Sequence, residues 1–183
     1  MLTLTARRSL GFRSDVADDA QTTTQTIERA HREAGAVYGT ILLLAVVAAL
    51  SEDDEATSLA ILGGVLATSL VFWVAHVYAD VLSRRVAGEE LPWRPLLMSA
   101  AYREWPLVEA AFAPALPLLL SAIGLLGRSA AVTLALAVGL IDLAGWGYVA
   151  GRTMRQSRLK SLLSAVVAVA LGTTMVLLKH AVH

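Results

Sequence analysis

The chain has 183 residues, 56% of them hydrophobic and 16% charged, with fifteen basic residues balanced by fifteen acidic ones and no cysteine. An apolar share above the roughly 45–50% of soluble domains, with a mean hydropathy of +0.63, points to a chain that lives in a membrane. The absence of cysteine excludes disulfides, thiolate metal sites and cysteine nucleophiles.

Residues 1–24 combine Arg7, Arg8, Arg13, Asp15, Asp18 and Asp19 with a threonine run and little apolar content, which predicts a mobile cytoplasmic arm. Met1–Leu10 has neither a long apolar core nor a small-residue cleavage site, so no removable signal peptide is expected. Residues 25–183 are expected to form a single transmembrane helical domain. Ile27, Ala30, Ala34 and Val37 recur at helical spacing and lead into a first apolar run over 34–50. Further runs follow at 57–82, 107–127, 129–151 and 161–178. A hydrocarbon core of about 30 Å takes about 20 helical residues to cross. The fold class expected is therefore all-α, a polytopic membrane protein with five transmembrane helices.

The connections set the orientation. Thirteen of the fifteen Lys and Arg fall in the arm and lead-in, in the second connection (Arg84, Arg85, Arg94, Arg103) and in the fourth (Arg152, Arg155, Arg158, Lys160). Cytoplasmic loops keep positive charge, which puts the N-terminus inside and the C-terminus outside. The first outer loop holds Glu52, Asp53, Asp54 and Glu55, either a solvated turn or an acidic mouth that concentrates cations. The second connection, about 83–106, mixes Gly88, Pro92, Pro95 and Pro106 with Trp93, Tyr102 and Trp105. It reads as a headgroup-facing loop with an amphipathic helix over 96–105 lying along the inner leaflet. The third run contains Pro114 and Pro117, which kink or break a helix. Such a break can mark a transport site, or be one of the prolines that membrane helices tolerate. Thirteen Arg against two Lys, with abundant Ala, suggests GC-rich bacterial coding and a bacterial inner membrane.

Four ionisable residues fall inside the runs: His76, Asp80, Glu109 and Asp142. A charge at mid-helix costs about 2.5–3.5 kcal/mol on insertion scales, and the topology puts all four in the cytoplasmic half. They are candidates for an ion or proton pathway sharing one polar vestibule, or for a structural network. On the second run Ser69, Trp73, His76, Asp80 and Arg84 form a stripe about 80° wide at 100° per residue, which must face protein or water. Asp80 and Arg84 are one turn apart and suit an ion pair, and Asp80 is placed to hold His76. Trp73 is the candidate constriction. Gly35 and Gly39, and Gly147 and Gly151, are four apart and suit close helix packing, within one protomer or between copies.

The segment Phe72-Trp73-Val74-Ala75-His76 resembles the Phe-Trp-x-x-His segment in the second helix of bacterial relatives of the lysosomal potassium channel. That resemblance implies an oligomeric cation channel. The Phe-Ser-Asp of that family's first helix has no counterpart here. The pair His76-x-x-x-Asp80 is similar to the His-x-x-x-Asp pair of cation diffusion facilitators, which implies a divalent-metal transporter with His76 and Asp80 as ligands.

The expected function is a small, homo-oligomeric inner-membrane protein passing cations or protons. The alternatives are a non-transporting scaffold or accessory subunit, and a divalent-metal transporter. Enzyme motifs are missing, no cofactor is expected, and the basic residues beside the runs serve topology rather than nucleic acid.

Overall fold

The computed structural model describes the backbone of residues 2–154 and 156–182, and the side chains of residues 21–154 and 156–177. Every element is helical: α1 (Leu2–Leu50), α2 (Ser58–Val86), α3 (Trp93–Arg103), α4 (Pro106–Glu109), α5 (Phe112–Ala122), α6 (Arg128–Thr153) and α7 (Arg158–Val182). Four of these helices are long and apolar enough to cross a membrane, and a bent combination of α3–α5 makes a fifth. The protein is an all-α, multi-pass membrane protein. The mobile arm expected over residues 1–24 falls largely on side chains outside the described residues, while its backbone from Leu2 belongs to α1.

The helix ends follow local chemistry. Thr57 caps α2, its hydroxyl accepting from the Ala60 amide at 3.1 Å. Gly88, at φ 86°, closes α2, with its amide on Arg85 O and the Glu89 amide on Arg84 O. Gly124, at φ 82°, closes α5 the same way on Ser121 O and Leu120 O. These paired bonds satisfy the last carbonyls and need a left-handed residue, which glycine adopts without penalty.

The third span departs from the sequence reading. The run 107–127 is not one helix, because the chain breaks at Ala110–Ala111 and the two pieces, Trp93–Glu109 and Phe112–Ala122, bend by 56°. Pro114 gives the reason: it has no N–H to donate to Ala110 O, and its ring crowds that carbonyl. The second connection does carry a helix where one was expected over 96–105, namely α3, and that helix packs against α2. α3 runs antiparallel to α2, with Arg84 Nη1 donating to Ser99 Oγ at 2.8 Å and Trp73 Nε1 to Ala101 O at 3.1 Å. At the far end Ser58 Oγ meets Ser121 Oγ at 2.7 Å. The register is therefore that of one long hairpin whose second arm is broken.

α1 lies at the centre and touches every long helix. Its buried positions Glu33, Ala36, Gly39, Thr40, Leu43, Leu44 and Val47 follow the three-and-four spacing of one helix face. Leu43 and Val47 pack with Ile61, Val65, Leu118, Ala131 and Ala135 in one half of the bundle, and Leu44 with Leu143 and Ala168 in a second cluster. Glycines set the closest approaches. A Cβ on Gly39 would lie 2.7 Å from Leu107 O, and one on Gly151 2.6 Å from Ser161 Cα. Gly147 stands as close to Ala165, while Gly35 is only in ordinary contact with Pro106. Both glycine pairs thus face neighbouring helices of the same protomer.

Candidate functional site at the inner end of the bundle

The basic connections gather at one end of the helices, called the inner end here because the charge bias assigns it to the cytoplasm. At the other end Arg128 Nη2 donates to Ser51 O and Asp53 O, tying the start of α6 to the acidic loop. A layer of polar ties crosses the inner end. On α1, His31 Nε2 lies 2.8 Å from Glu104 Oε1, Arg32 Nη2 donates to Glu109 Oε2 at 2.9 Å, and Glu33 Oε1 accepts from Thr153 Oγ1 at 2.6 Å. On α2, Asp80 lies between two guanidiniums, Arg84 Nη1 at 3.5 Å and Arg103 Nη1 at 3.4 Å. Arg84 also grips Glu89 with two donors, at 2.6 and 2.8 Å. That grip holds the Glu89 carboxyl below its ordinary range, the hydrogen bond from Arg84 being the main cause.

The sequence stripe on α2 does face protein, but its partner is α3. Trp73, Asp80 and Arg84 bond to Ala101, Arg103 and Ser99, and Ser69 is buried. His76 turns elsewhere. Its Nδ1 donates to Phe72 O at 2.9 Å, and its ring stands 5.5 Å from that of Tyr38 on α1. No hydrogen bond or ion pair joins His76 to Asp80. Trp73 meets Trp105 edge-on at 6.1 Å and lines a small aromatic cavity of about 340 Å³ with Met98, Ala101 and Tyr102. It does not ring a central passage.

The four ionisable candidates are not brought into one vestibule. Asp80 and Glu109 belong to the inner ionic layer, His76 packs between α1 and α2, and Asp142 sits on α6 without a hydrogen bond or ion pair to any described residue. A cavity of about 580 Å³ opens at the inner end between α1, α2 and α3, lined by Arg32, Arg84, Arg103, Glu28, Ser99 and Tyr102 among others. A second, of about 360 Å³, lies between α1, α6 and α7. Neither these two nor the aromatic cavity is lined by His76, Asp80, Glu109 or Asp142. Among the described residues no three His, Asp or Glu side chains form a metal-holding group, and Asp80 is already held by two cations.

Five residues of the layer were not singled out from the sequence: His31, Glu33, Glu89, Glu104 and Thr153. Glu33 and Glu104 are the most buried carboxylates described, at 7% and 6% exposure. A signal for Glu33 existed, since it continues the buried face of α1 one turn before Ala36. Glu104 had none, because the helix expected over 96–105 was placed along the inner leaflet, away from α1. No protein-family model, curated protein or solved structure matches the chain.

Proposed function

We propose that this protein is a non-transporting membrane subunit, a scaffold that holds partner chains in a bacterial inner membrane. The observation that carries this reading is the use to which the inner ionisable groups are put. Asp80, Glu109, Glu104 and Glu33 each tie one helix to another, through Arg103, Arg32, His31 and Thr153. A conduit needs polar groups free to replace an ion's water, and carboxylates bonded across to neighbouring helices do not supply them. The mid-depth interior is filled by Leu43, Leu44, Val47, Ile61 and Leu143. The test is flux. Purified protein in liposomes should leave an imposed K⁺ or H⁺ gradient intact, whereas dissipation above that of empty liposomes would overturn the reading.

A second reading, cation or proton transport through a homo-oligomer, has one observation in its favour. The break at Ala110–Ala111 puts the start of a half-length helix within the bundle, and discontinuous helices build many transport sites. In that reading His76, Asp80, Glu109 and Asp142 would line passages completed by other copies, as the channel resemblance implies. Flux that falls on Asp142→Asn would favour it.

A further inference from the structure

Of His76, Asp80, Glu109 and Asp142, only Asp142 has no hydrogen bond or ion pair to a described residue. It stands 14 residues after Arg128 and 11 before Thr153 on α6, about 21 Å and 16 Å along the helix axis at 1.5 Å per residue. That is mid-membrane depth, where a lone carboxylate is among the costliest groups to keep. The side chain is neither buried nor bonded to any described residue. Beside it the surface of α6 is open: Ile141 is 70% exposed, and a Cβ on Gly145 would meet no atom within 4 Å. A bare glycine next to an unpaired polar group lets a neighbouring helix backbone approach closely enough to reach it.

We infer that this face of α6 docks a transmembrane helix of a different protein, one carrying a lysine or arginine at mid-membrane depth. The inference rests on the scaffold reading and names its partner. Charge complementarity decides the class, because a cation both neutralises and hydrogen-bonds the carboxylate in a medium without water. A second copy cannot supply it. The chain has no Lys or Arg between Glu33 and Ser83, between Arg103 and Arg128, between Arg128 and Arg152, or between Lys160 and Lys179. His76 is the nearest substitute, and its ring is held by Phe72 O and Tyr38.

The test uses the full-length protein, donor-labelled in liposomes, with acceptor-labelled synthetic helices of polyleucine. One peptide carries a single central lysine and the other is all leucine. The lysine helix should bind about tenfold more tightly than the leucine helix. That preference should vanish in Asp142→Asn and survive in Asp142→Glu, with circular dichroism showing both variants fully helical. Equal binding of the two helices to the wild type, or a preference that persists in Asp142→Asn, overturns the inference. Self-association that depends on Asp142 with no lysine preference also overturns it, assigning the face to a second copy. Flux in the same liposomes is a separate readout: it contradicts the scaffold reading, while loss of the lysine preference without flux removes only this partner.

Discussion

Replacing Gly151 by alanine tests how closely α6 and α7 approach. The new Cβ would stand 2.6 Å from Ser161 Cα, 2.9 Å from Ser161 Cβ and 3.0 Å from Ser161 Oγ, where ordinary carbon contacts are about 3.5–4.0 Å. The nearest atom is backbone, so no rotamer change relieves the clash, and the helices must part by about 1 Å or strain. Overpacking of this kind costs about 1–3 kcal/mol, offset by the roughly 1 kcal/mol by which alanine favours a helix over glycine. Gly63 on α2 is the control, since a Cβ there meets nothing within 4 Å and only the propensity gain applies. Gly151→Ala should therefore be less stable than Gly63→Ala by about 1–3 kcal/mol. Reversible unfolding in mixed detergent micelles, followed by tryptophan fluorescence, reads the difference. Equal midpoints for the two variants would refute the close packing of α6 on α7.

Glu33→Ala should destabilise the protein by about 1–2 kcal/mol by leaving the Thr153 hydroxyl unpaired, whereas Glu33→Gln, which keeps an acceptor, should cost less; the same unfolding assay ranks them. Glu89 is held below its ordinary value of 4.5 by Arg84, so its contribution is present above that value and is lost as pH falls through the lower folded-state one. Once intrinsic exchange at each pH is divided out, the amides at Glu89–Leu91 should accordingly lose protection in acid in the wild type, and their protection should not change with pH in Glu89→Gln. Pro114→Ala restores a donor for Ala110 O, so spin-label distances between Ser99 and Ser121 should lengthen as the 56° bend relaxes. An unchanged distance would mean that packing against Gly39, rather than the proline, sets the break.

The parts of the fold visible in the sequence are those written in local chemistry. Hydropathy located α1, α2, α6 and α7, whereas Thr57 and Gly88 emerged as the ends of α2 only in the structure. The broken span was half visible. Pro114 announced a break, and a helix was expected over 96–105, but the prolines and aromatic residues around it suggested a place along the inner leaflet, and only packing against α2 reveals that helix as the return arm of a hairpin. The polar stripe on α2 was read as facing protein or water, and Trp73, Asp80 and Arg84 of it bond to α3. Its partner was not legible, because pairing Asp80 with Arg103 requires knowing that α3 turns back. Glu109 with Arg32 and His31 with Glu104 join positions 77 and 73 residues apart, and no periodicity reports such contacts. The shared vestibule was inferred from depth alone, and depth does not fix which way a side chain points around its helix.

Because the chain has no cysteine, single substitutions His76→Cys, Asp80→Cys, Glu109→Cys and Asp142→Cys, each reacted with a charged, membrane-impermeant thiol reagent, test the central claim most directly. If the ionisable groups tie helices rather than line a passage, Glu109→Cys should react from the inner side. Half of the Glu109 side chain is open there (45% exposed). Asp80→Cys should react slowly, at 12% exposure, and His76→Cys and Asp142→Cys not at all in the absence of a partner. Rapid modification of all four positions from the same side, each blocked by a common permeant cation, would place them in one water-filled cavity and contradict the scaffold.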